Sequence, residues 1–196
     1  MTNESAVGPV PPFADPGALG LAAFALTTFV LSVVNAGLLP VTVEPVVLGL
    51  ALFYGGIAQL VAGIWEFANR NTFGATAFCS YGAFWLAFWY LVEFTDLSKA
   101  GADAAKGVAV FLLAWGIFTL YMTVAARRTN SSIFVVFVLL TLTFFALAIG
   151  KYSGVVAVTR LGGWLGLLTA LAAWYGSFAV VANATHKRTV LAVGPR

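Results

Sequence analysis

Six continuous apolar stretches, at residues 17–39, 46–66, 73–92, 107–126, 131–150 and 161–183, take up most of this 196-residue chain. Each is about 20 residues long, the length a helix needs to cross the hydrocarbon of a bilayer. Inside lipid every backbone N–H and C=O must find its partner within the protein, so only helices and closed β-barrels span. The apolar residues run on without a break and do not alternate with period two, which excludes the barrel. Composition agrees: 61% of residues are hydrophobic and 9% charged, whereas soluble domains are about a quarter charged. The fold class is therefore all-α, a polytopic membrane protein with six transmembrane helices.

The chain divides into a flexible N-terminal tail at residues 1–16, a six-helix transmembrane unit at 17–185 and a short basic C-terminal tail at 186–196. The leading segment has no Lys or Arg, and the run after it is too long for a signal-peptide core, so the first span is expected to be retained. Pro and Gly make residues 1–12 the flexible part. The longest loop, "EFTDLSKAGADAAK", leaves no room for a soluble domain. Arg70, Arg127, Arg128, Lys187, Arg188 and Arg196 fall on one side of the spans and Lys99, Lys106, Lys151 and Arg160 on the other. The excess places both termini in the cytoplasm.

The polar residues of the spans are not scattered. Phe24, Thr28, Ser32 and Asn35 follow one another at spacings of four, four and three, on one helix face that should point inward. Gly56, Gln59, Gly63 and Glu66 form a second stripe, which fits against another helix or beside a pore. The third span aligns Ala77, Tyr81, Trp85 and Phe88; the fourth, Trp115, Thr119 and Met122 or Thr123; the fifth, Leu140, Thr143 and Leu147. In the sixth, Gly162, Gly166 and Ala170 make a ladder of small residues that lets helices approach closely.

Each group also has a plain structural reading. Hydroxyls at Thr28, Thr119, Thr141 and Thr143 are expected to bond back to their own helix. Tyr81 and Trp85 serve as packing aromatics by default, and His186 is a surface residue. Glu66, beside Asn69, Arg70 and Asn71, reads as a solvated or paired carboxylate, with proton handling as the functional alternative. Asn35 and Gln59 are harder to satisfy, because an amide brings two donors and an acceptor that one carbonyl cannot match. Glue between helices and contact with a substrate both remain open for them.

Several chemistries are missing from the sequence. There is no Ser/His/Asp arrangement, Walker loop, dinucleotide fingerprint or cluster of metal ligands, and the single cysteine, Cys79, permits no internal disulfide. An enzyme is not expected, nor a cofactor or metal. Retinal would need a lysine inside a helix, and Lys99, Lys106 and Lys151 read as loop or loop-edge residues. The net charge of +3 comes from basic residues scattered at span ends, where lipid headgroups explain them, so nucleic acid is not an expected partner. A permease, a channel or a scaffold remains.

The stretch "FYGGIAQLVAGIWEFANRNTFGATAFCSYGAFWL" closely resembles the acetate uptake transporter family, the succinate–acetate permeases of bacteria and their yeast and archaeal relatives. The likeness continues in "WGIFTLYM", "FALAIG", "GGWLGL" and "RTVLAVG" and so covers nearly the whole chain. The family signature Asn-Pro-Ala-Pro-Leu-Gly-Leu stands here as "DPGALGLAAF", with Asp15, Gly17 and Ala18 in place of Asn, Ala and the second Pro. Asp15 keeps the ability to cap the first helix.

The resemblance implies six helices around a tunnel in each protomer and a homohexamer in the cell membrane; the short chain and short tails favour a bacterial inner membrane. It implies transport of acetate, and of succinate in some members; the cost of a bare carboxylate in hydrocarbon adds the expectation that protons move with them. It also implies a constriction of Phe24, Tyr81 and Leu140, substrate contacts at Asn35, Gln59 and Thr72, and a tunnel-shaping position at Ala173. Thr28, Ser32 and Trp85 join the tunnel lining through the faces they share, and Glu66 is the candidate for proton handling beside its plainer reading as a solvated or paired carboxylate. The competing readings are a channel for water or small neutral solutes and a scaffold that transports nothing.

Overall fold

The computed structural model describes residues 13–194; the expected flexible tail at residues 1–12 and the basic Arg196 lie outside them. Among the described residues every long element is a helix: α1 Gly17–Asn35, α2 Val46–Ala68, α3 Thr72–Phe94, α4 Asp103–Ala126, α5 Ser131–Ser153 and α6 Val156–His186. All six are long and apolar enough to cross a bilayer. Short 3-10 turns at Val41–Val43 and Ser98–Ala100 interrupt two of the loops.

Helix ends follow local chemistry more than hydropathy. The first apolar run continues to residue 39, but α1 stops at Asn35 because Gly37 takes a left-handed conformation, φ 76°. Gly37 N then bonds to Val34 O at 2.9 Å and Leu38 N to Val33 O at 3.1 Å, a Schellman closure that satisfies the last carbonyls. Asn71 and Asn130 start α3 and α5, their side chains accepting from Gly74 N and Ile133 N. At α1, Asp15 Oδ1 accepts from Gly17 N at 2.8 Å.

The described parts of the tails are folded against the bundle. Phe13 packs edge-on against Trp65 with centroids 5.1 Å apart, and Ala14 O accepts from Asn69 Nδ2. At the other end, Asn183 holds the backbone of Val190 and Leu191, and Val193 and Gly194 present carbonyls to Ser132 N and Ser131 N. These bonds occupy N–H groups that the first turn of α5 leaves free.

Packing is built from small residues. α6 lies against both α1 and α5: a methyl group on Gly162 would press on Leu147 at 2.7 Å, and one on Gly163 would strike the Asn35–Ala36 backbone. The small-residue ladder thus makes contacts within the protomer. Gly63 brings α2 to the backbone of α3, 2.5 Å from Cys79 N for an added methyl. One turn earlier, α2 is π-helical over Phe53–Ala58. Such an inserted residue often marks a functional position in a helix, and here Gln59 follows it directly.

Candidate functional site

Four stripes read from spacing turn inward. Phe24, Thr28 and Ser32 on α1, Gln59 and Glu66 on α2, Ala77, Tyr81 and Trp85 on α3, and Leu140, Thr143 and Leu147 on α5 are all buried. Between them lie two cavities. Cavity 1, about 180 Å³, opens at the end of the bundle where α1, α3 and α5 begin and is lined by Asp15, Gln59, Glu66, Asn71, Tyr81, Asn130 and others. Cavity 2, about 330 Å³, occupies the opposite end, with Thr28, Ser32, Asn35, Trp85, Thr143 and Lys151 in its wall. A water takes about 30 Å³, so either has room for a small solute with water around it.

Phe24 and Leu140 line both cavities. Tyr81 packs on Phe24, ring centroids 5.8 Å apart, and lines cavity 1. Its hydroxyl meets Thr119 Oγ1 at 2.9 Å, while Thr119 also bonds to Trp115 O at 2.7 Å. Trp115, Phe118 and Phe137 surround the same ring. Of the three residues at which the resemblance puts a constriction, one each from α1, α3 and α5, Phe24 and Leu140 are shared by both cavities and Tyr81 packs on Phe24 from the cavity 1 side.

The polar residues are distributed on either side. Gln59, 0% exposed, lines cavity 1, and neither of its amide atoms has a partner among the described residues. In cavity 2 the same is true of Thr28 Oγ1 and Trp85 Nε1. Leaving a buried polar group unpaired costs about 1–3 kcal/mol, so these side chains disfavour a dry, sealed interior and suit one that water or a solute visits. Thr28 departs from the expected back-bond; Thr119, Thr141 and Thr143 make theirs, to Trp115, Phe137 and Leu139.

Glu66 is buried, and of the two expected states it takes the paired one. Its Oε2 accepts from Asn71 Nδ2 at 2.8 Å while Asn71 Oδ1 caps α3, so one side chain fixes both a helix start and the carboxylate at the mouth of cavity 1. Asn35 is half-buried in cavity 2. Thr72 is exposed as the first residue of α3, and Ala173 is fully buried in the core; neither lines a cavity. Lys151, read as a loop-edge residue, lies in the last turn of α5 and lines cavity 2. Its signal in the sequence is a spacing of eleven residues from Leu140, about three helical turns.

The sequence matches the model of the GPR1/FUN34/yaaH family over residues 2–195. It is 48% identical over 185 residues to Accumulation of dyads protein 2 of Saccharomyces cerevisiae, covering 91% of this chain and 65% of the relative. To Acetate permease A of Emericella nidulans it is 41% identical over 196 residues, 92% of this chain and 66% of that one. The chain thus spans about two thirds of these two fungal relatives. It is 39% identical to the Succinate-acetate/proton symporter SatP of Escherichia coli K12, covering 92% of this chain and 95% of the symporter. Among solved structures, that of the bacterial acetate channel SatP superposes with a TM-score of 0.84 at 39% identity, over 93% of this chain and 99% of that one.

Proposed function

Because the chain belongs to the GPR1/FUN34/yaaH family, we propose that it moves small carboxylates, acetate first and succinate second, across a membrane through the two cavities and the Phe24, Tyr81 and Leu140 contact between them. The observation that carries this reading is the position of Phe24 and Leu140 in the walls of both cavities. An apolar contact flanked by two polar-lined vestibules acts as a gate: it stops water and larger solutes and lets a small molecule slip through.

Charge sets the mechanism. A bare carboxylate in hydrocarbon carries a Born cost on the order of 20 kcal/mol. Protonating it first, for an acid with pKa about 4.5 at pH 7, costs about 3.4 kcal/mol at 1.36 per unit. The neutral acid is the cheaper species at the gate, whose three side chains are apolar but for the Tyr81 hydroxyl, already engaged with Thr119. On either side the anion is held by donors: Gln59 in cavity 1, and Asn35, Ser32, Thr28 and the Trp85 indole in cavity 2. The two amides dock the carboxylate before and after the gate, and net flux follows protons.

Glu66 passes the proton in this reading, which its position in the wall of cavity 1 supports. The protein acts as a multi-pass membrane protein with both ends cytoplasmic, so cavity 1 faces the cytoplasm. Exposed Val110, Ile117, Tyr121 and Val124 make α4 an apolar outer face, suited to lipid and to neighbours in a homohexamer.

The test is uptake of labelled acetate by proteoliposomes beside their osmotic swelling in glycerol. Saturable acetate uptake, competed by succinate and without swelling, supports the carboxylate reading. Swelling without acetate uptake would make the chain a channel for neutral solutes, and neither response from folded protein would favour the scaffold.

A further inference from the structure

We propose that Lys151 is an anion-capture residue at the outer mouth of cavity 2 and favours dicarboxylates over monocarboxylates, an inference that rests on the carboxylate reading above. Phe24 and Leu140 sit together at the gate on α1 and α5, which both begin at the cavity 1 end. Asn35 lies eleven residues beyond Phe24, and Lys151 eleven beyond Leu140. Eleven residues is about three turns and about 16 Å of rise. Asn35 and Lys151 therefore stand at the same height, on the gate-facing sides of two parallel helices, and both line cavity 2.

Lys151 is exposed and in no ion pair; among the described residues the single ion pair joins Lys106 to Asp103 at 2.8 Å. Glu44 is the only carboxylate in the wall of cavity 2, and it lies beyond ion-pair distance of Lys151. Cavity 1 differs: its charged wall residues are Asp15 and Glu66, both acidic. Both walls carry amides, but an anion arriving from solution meets one cation and one carboxylate at the cavity 2 mouth and two carboxylates with no cation at the other. Lys151 is too far from the gate to touch a carboxylate held at Thr28, about 6 Å past Phe24 at 1.5 Å per residue. Its part is to draw the anion in, and Coulomb attraction scales with ligand charge, so a dianion gains twice what a monoanion gains.

The test is KM and Vmax for labelled acetate and succinate in proteoliposomes carrying wild type, Lys151→Gln, Lys151→Arg and Glu44→Gln. An exposed charge contact in water is modest, so Lys151→Gln should raise KM about three-fold for acetate and about nine-fold for succinate, with Vmax unchanged. Lys151→Arg should restore both, and Glu44→Gln should lower both. The advantage that Lys151 gives succinate relative to acetate should also fade between about 0.01 M and about 1 M salt, as the Debye length falls from about 30 to about 3 Å, and Lys151→Gln should lack that dependence. Equal KM values and salt slopes in wild type and Lys151→Gln would overturn the proposal and leave Lys151 a headgroup anchor. Wild-type vesicles that move neither acid would instead sink the carboxylate reading itself.

Discussion

Phe24 on α1 and Leu140 on α5 are shared by the walls of both cavities, with the Tyr81 ring packed on Phe24 beside them. Leu140→Ala removes one side of that contact. Succinate flux should rise relative to acetate flux, since the larger acid is the one the contact obstructs. The stability cost should fall at or below the lower end of the usual range of about 2–5 kcal/mol for a buried Leu→Ala, because the site already borders open space. Competitive uptake of the two acids and a thermal melt in detergent check the pair of effects.

Tyr81→Phe separates ring from hydroxyl. The variant keeps the packing on Phe24, Phe118 and Phe137, and Thr119 retains its bond to Trp115 O. Only one hydrogen bond is lost, about 1 kcal/mol. Acetate uptake should stay within about two-fold of wild type if the ring forms the seal; a collapse would assign the work to the hydroxyl.

Gln59 gives stability and transport opposite signs. Its amide is fully buried and without a partner among the described residues, so an apolar residue of similar shape relieves about 1–3 kcal/mol of desolvation cost. Gln59→Met should melt no lower than wild type while acetate uptake falls at least about ten-fold. Normal uptake in this variant or in Gln59→Ala would remove the amide from the docking role.

Glycines on α2 offer an internal contrast. A methyl group at Gly63 would sit 2.5 Å from Cys79 N on α3, whereas one at Gly49 meets nothing within 4 Å. Gly63→Ala should cost about 1–3 kcal/mol through overpacking, and Gly49→Ala should gain up to about 1 kcal/mol of helix propensity. Melting temperatures of the two purified variants decide it.

The spans are legible in the sequence because lipid demands contiguous apolar residues, and the inward stripes because a helix repeats every 3.6 residues. Helix ends are less so. α1 stops early through the backbone geometry of Gly37, which hydropathy does not register, and α6 starts at Val156, ahead of the apolar run, because Thr159 and Arg160 interrupt hydropathy without interrupting the helix. Lys151 is hidden for a related reason: a charge at the edge of an apolar run looks like a loop until the helix is followed past it. Thr72 and Ala173 show the opposite limit. A motif fixes a residue's place along the chain but not what it faces, and these two line neither cavity.

The most direct test of the whole account is labelled acetate uptake into proteoliposomes under an imposed inward proton gradient and, separately, under an imposed membrane potential. Crossing the gate as neutral acid predicts uptake that follows the proton gradient and ignores voltage. Uptake that follows voltage and ignores the proton gradient would mean that the anion itself passes Phe24 and Leu140, and would contradict the account.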